Sequence, residues 1–100
     1  MSGTSVRDNS AESRYELLVD GLVRGTLHYR AGDEAITLVH TEVDPELEGR
    51  GLGSRLVHDV LEDIRARELG LVPVCPFVRS YLERHPEFAD LVARAPAQQG

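Results

Sequence analysis

One hundred residues with 41% hydrophobic content and five aromatics suffice for one modest core and leave no room for a separate substrate domain. No apolar run approaches the roughly 20 residues that span a bilayer, and residues 1–11 lack the apolar stretch of a secretory signal, so the expected location is the cytoplasm, with no membrane partner. A net charge of −6 disfavours nucleic acid as a partner, and a single cysteine with no metal-ligand spacing around the four histidines excludes a disulfide framework and argues against a metal site.

Residues 1–11 read as a disordered leader and residues 12–92 as one folded domain. From Arg14 to Asp20 apolar Tyr15, Leu17 and Val19 alternate with Arg14, Glu16 and Asp20, the pattern of a half-buried strand. Asp20-Gly21 supplies residues that tolerate positive φ at a two-residue hairpin turn. A second strand follows, with Val23, Leu27 and Tyr29 on its apolar face. After Ala31-Gly32-Asp33, residues 34–43 are apolar or β-branched on both parities, as in a central strand covered on both faces, and Asp44-Pro45 ends it.

Beyond a glycine-rich turn, Leu56, Val57, Val60, Leu61 and Ile64 recur at helical spacing and predict a long amphipathic helix. Gly70 reads as its left-handed cap, and residues 71–75 as a further strand, parallel to the one ending at Val43. A shorter helix from about Phe77, interrupted by His85-Pro86, and a last helical turn precede a flexible tail, residues 93–100. The fold class is therefore α/β, a compact mixed antiparallel and parallel sheet with one long helix after the glycine turn and one or two short C-terminal helices.

The chemistry concentrates in Glu48-Gly49-Arg50-Gly51-Leu52-Gly53-Ser54. A strand, a glycine-rich turn and a helix place unpaired backbone amides at the positive end of a helix dipole, a site suited to phosphate. Glycines at 49, 51 and 53 are expected to let a pyrophosphate approach the backbone, and Arg50 to add a charge-assisted contact. Spacing separates the rival motifs: a nucleotide-binding Gly-Lys-Ser/Thr loop needs a lysine, which this chain lacks entirely, and a dinucleotide fingerprint needs G-x-G-x-x-G where this turn reads G-x-G-x-G.

The stretch from Val43-Asp44-Pro45 to Gly49-Arg50-Gly51-Leu52-Gly53 resembles the N-acetyltransferase (GNAT) superfamily turn, R/Q-x-x-G-x-G/A after a V-x-P step, with Glu48 in place of Arg or Gln. With His40-Thr41, Cys75-Pro76-Phe77 and Arg84-His85-Pro86-Glu87-Phe88, the chain is similar over residues 14–92 to a small GNAT-like family. The resemblance implies acetyl-CoA as co-substrate, no metal, and two strands splayed around the pantetheine arm. Val43 would offer it backbone bonds, and Gly49, Arg50, Gly51, Leu52, Gly53 and Ser54 would hold the pyrophosphate. The thioester would lie near Cys75, which could take the acetyl group, and His40 would be the base, with Glu42 as its substitute. Tyr81 is placed in the core. The acceptor is expected to be an amine, on a small molecule or a protein, and a cationic one suits residues 12–48, where nine acids face three arginines. The alternative is a non-catalytic acyl-CoA-binding module that acts through a protein partner.

Overall fold

The computed structural model describes residues 3–96. Strands β1 (Thr4–Asn9), β2 (Arg14–Val19), β3 (Leu22–Ala31), β4 (Ala35–Val43) and β5 (Gly70–Pro73) form one sheet in sequence order. All neighbours are antiparallel except β4 and β5, which the helix α1 (Leu52–Ala66) links as parallel strands. Helices α2 (Pro76–Arg84) and α3 (Ala89–Arg94) follow, separated by a 3₁₀ turn over Pro86–Phe88. No helix among the described residues is long and apolar enough to cross a membrane.

The helices share one core with one face of the sheet. Leu17, Leu27, Ile36, Leu38 and Leu71 from the strands meet Leu56, Val57, Val60, Leu61 and Ile64 of α1, Val78 of α2 and Leu91 of α3 in a single cluster. The expected helical spacing in α1 is thus the stripe that drives the layers together. Asp20 and Gly21, at φ 52° and 84°, make the two-residue turn between β2 and β3, where positive φ matches the twist of the strands.

The structure corrects several of these expectations. Residues 4–9 of the expected leader are strand β1, paired along its length with β2, and only residues 1–2 lie outside the described residues. The expected tail begins inside α3, which runs to Arg94; residues 97–100 lie outside the described residues. β4 is covered on one face only, since Ile36 and Leu38 are buried whereas Thr37 and Val39 are half-buried. The left-handed residue after α1 is Glu68, at φ 58°, while Gly70 already belongs to β5. Gly70 serves close packing instead, because a Cβ there would lie 2.5 Å from the backbone of Ala95.

Glu16, expected on the solvent face of β2, is 1% exposed. Register sets it beside Arg7, and its carboxylate accepts bonds from Arg7 Nε (2.8 Å), Arg14 Nε (2.8 Å) and Asn9 Nδ2 (3.0 Å). Two of those three partners come from β1, so the strand missing from the sequence reading is what buries the charge. A second knot joins β1 to α1. Tyr15 and Tyr29 each donate a 2.6 Å hydroxyl bond, to Asp63 and Asp8 respectively, and Arg67 bridges both carboxylates at 3.1 and 2.7 Å.

Candidate functional site

Parallel pairing of β4 with β5 ends at Leu38 and Pro73, where the amides of Val74 and Cys75 both donate to Leu38 O, at 3.0 and 2.9 Å. The chain then turns into α2, with Pro76 at its first position. β4 continues to Val43 against β3 alone, so a gap opens between the two strands. Asp44 N–H donates to Arg24 O on the β3 side. Consecutive residues of a strand direct their backbone groups to opposite edges, so Val43 N–H and C=O face the gap.

A bulge decides which side chains reach which face. His28 pairs with His40 but Tyr29 pairs with Leu38, leaving Val39 as the extra residue of β4. Beyond it the alternation is reset: Thr41, opposite buried Leu27, shares the helix-covered face, whereas His40 and Glu42 project from the bare one. Accordingly Thr41 Oγ1 lies 3.2 Å from Cys75 Sγ in a hydroxyl–thiol hydrogen bond, and Cys75 is 2% exposed. His40 Nε2 instead meets Glu42 Oε1 at 3.2 Å, and its ring centroid is 6.4 Å from that of His28. The expected pair, His40 and Cys75, stands on opposite faces of the sheet and is not brought together.

The turn after β4 is held rigidly at its start. Asp44 caps a 3₁₀ turn over Pro45–Leu47 by accepting Glu46 N–H at 2.9 Å, and Arg24 grips Asp44 at 2.9 Å and Glu46 at 3.3 Å. The Glu46 amide, then Arg24, hold the Asp44 carboxyl below its ordinary range, so the cap is charged near neutrality. Gly49 and Gly51 adopt φ 83° and 72°, and space is open where each Cβ would be. Gly51 is the N-cap of α1 with no side-chain cap, and the first turn holds no acid, so the amides of Leu52, Gly53 and Ser54 point outward unpaired at the positive helix end.

Gly53 differs from its neighbours. Its φ is not positive, and a Cβ there would meet Phe77 Cζ at 2.9 Å, so glycine at 53 admits the aromatic ring rather than a ligand. Phe77, though half exposed, is thereby laid along the mouth of a groove of about 340 Å³ that also takes in Thr41, Val43, Leu47 and the turn. Of the expected binding residues, Val43, Gly49, Gly51, Leu52, Gly53 and Ser54 line this groove; Glu48 lines it too, and exposed Arg50 does not. Thr41, Leu47 and Phe77 were not anticipated, although Phe77 stands in the Cys75-Pro76-Phe77 run. Tyr81 is buried and stacked on His85 with ring centroids 4.0 Å apart, and burial raises its hydroxyl pKa.

A strand pair that opens beside a helix N-terminus is the geometry expected from the resemblance, and residues 14–91 match the family model for GCN5-related N-acetyltransferases. The chain belongs to that family. Its fold is that of a solved GCN5-related relative: the solution structure of a GCN5-like protein from Staphylococcus aureus, an N-acetyltransferase candidate, is 25% identical. That likeness covers 99% of this chain and 94% of the other, with a TM-score of 0.67. No curated protein matches the chain. In this GCN5-related domain the turn, the gap and the Thr41–Cys75 contact all open into or border one groove, on the helix-covered side of β4.

Proposed function

We propose that this chain takes the acetyl group of acetyl-CoA and transfers it to an amine. One observation carries the reading: the unpaired edge of β4 at Val43 and the three free amides of α1 open into the same groove. The amides at 52–54 suit the pyrophosphate, and the Val43 backbone suits the amide groups of pantetheine. The thioester would then extend toward Thr41 and Cys75, and supplies the activated acetyl carbonyl.

Calorimetric titration with coenzyme A and acetyl-CoA tests this. The wild type is expected to bind both, and Gly51→Glu to weaken both by about tenfold or more, since it puts an anion and a Cβ at a left-handed position beside the helix end. No binding by the wild type removes the reading.

Direct transfer is favoured over an acetyl-cysteine intermediate. The thiol contacts the Thr41 hydroxyl, and His40, the base that would ionise it, lies across the sheet. Cys75→Ala is therefore expected to keep acetyl transfer within about fivefold of wild type. A loss beyond about a hundredfold, with acetyl-Cys75 trapped by acid quench in the wild type, would reverse that assignment.

A further inference from the structure

The donor groove lies at the β4 side of the sheet and leaves the opposite edge, β1, unused. Gly3 O accepts the Asp20 N–H at 2.8 Å, so by alternation Ser5 and Arg7 also turn their backbone groups to β2, whereas Thr4, Val6 and Asp8 turn theirs outward. Arg55 Nη2 donates to Thr4 O at 3.2 Å; among the described residues the N–H and C=O of Val6 and Asp8 have no partner. A groove of about 350 Å³ runs beside this free edge, lined by Val6, Asp8 and Tyr15 and by Asp59, Glu62 and Asp63 of α1. Its lining holds no cation. Arg55 pairs with Asp59, and Arg67 with Asp8 and Asp63, but Glu62 meets Arg65 at 3.9 Å, a guanidinium already bound to Asp90 at 2.8 Å. Negative charge is therefore in excess along the groove.

From a free strand edge that runs along an acidic groove, we infer that β1 docks an extended, basic segment of a partner protein, which adds to the sheet as a sixth strand. Its backbone pairs with that of Val6 and Asp8. Every second side chain of an added strand points to the side where Val6 packs against the core, and a lysine or arginine there enters the groove and meets Glu62 and Asp59. Charge complementarity thus selects the occupant. A second copy of this chain fits less well, because pairing β1 with β1 about a twofold axis sets two acidic grooves against each other on one face of the joined sheet. The inference is independent of acetyl transfer, since the edge stands across the sheet from the donor groove.

The test follows amide chemical shifts and hydrogen exchange of the intact protein at low salt with the peptide acetyl-Lys-Val-Lys-Val-Lys-amide. Two controls are its glutamate counterpart, acetyl-Glu-Val-Glu-Val-Glu-amide, and the lysine peptide N-methylated at every backbone amide. The lysine peptide is expected to shift residues 4–9 and 59–63 and to slow exchange of the Val6 and Asp8 amides. N-methylation removes the donors of the ladder and is expected to weaken binding by about tenfold or more, and the glutamate peptide to leave the spectrum unchanged. Glu62→Lys, at an exposed helix position, is expected to weaken the lysine peptide by about fivefold. Shifts that are absent, that map elsewhere, that survive unchanged in Glu62→Lys, or that the N-methylated peptide reproduces overturn the proposal. So does sedimentation that shows a dimer with the Val6 and Asp8 amides already protected. Failure to bind coenzyme A sinks acetyl transfer and leaves this surface standing.

Discussion

Gly70→Ala is expected to lower stability by about 2–3 kcal/mol, the range of a methyl group forced into a filled site. The new Cβ would lie 2.5 Å from both N and Cα of Ala95 and 2.9 Å from the carbonyl carbon of Arg94. These are backbone atoms, and no rotamer change relieves the clash. Nor can Gly70 retreat, since its amide donates to Glu34 O at 2.9 Å and it is paired with Ala35 at the start of the parallel ladder. What yields is the end of α3, held by buried Leu91 and by Arg65, which binds Asp90 at 2.8 Å and lies over the Phe88 ring at 5.4 Å. Urea unfolding measures the loss, and hydrogen exchange should show it concentrated in residues 89–95. A variant within about 0.5 kcal/mol of wild type would show that α3 does not pack on β5 as described.

Glu16→Gln is expected to cost about 2 kcal/mol at neutral pH, with the penalty vanishing in acid. The Asn9 amide, then the Arg7 and Arg14 guanidinium groups, lower the carboxyl from its ordinary 4.5 to about 2, against the opposing effect of burial. A group whose folded pKa is depressed contributes stability that is fully present above its unfolded value. The contribution falls as pH drops from about 4.5 and is gone below about 2. The stability difference between wild type and Glu16→Gln should therefore shrink across that window. The magnitude is held down because Arg7 is 57% exposed and remains in contact with water. A difference that stays constant from pH 7 to pH 3 would mean that the glutamate is not held in its charged form by these partners.

Those features of the chain that depend on neighbours in sequence could be read without coordinates. Asp20-Gly21 makes the hairpin, Val43-Asp44-Pro45 ends β4, and the apolar stripe of α1 packs where its spacing places it. β1 escaped notice because an edge strand needs apolar residues on one face at most. Val6 alone packs against the core, while Arg7 and Asn9 owe their places to Glu16 on another strand.

The site shows the same division between local and distant causes. Gly49 and Gly51 announce a turn, yet Gly53 is required by a ring 24 positions along the chain, and no local pattern reports that contact. His40 was referred to the wrong companion for a similar reason. Unbroken alternation from Ile36 and Leu38 would carry His40 to the helix side and toward Cys75; one extra residue, Val39, turns it outward and brings Thr41 in. A bulge is a property of the pairing between β3 and β4, and β4 by itself does not contain it.

The knot between β1 and α1 also bears on the order of events during synthesis. Asp8 and Arg67 are 59 positions apart, so the ties of Tyr15 and Asp8 to that end of α1 cannot close until the helix has been made. The β1–β2–β3 meander can form early from short-range contacts, the Tyr29–Asp8 bond among them, but the Tyr15 hydroxyl must stay hydrated until then. β1, made before α1, is thus fully secured only after it.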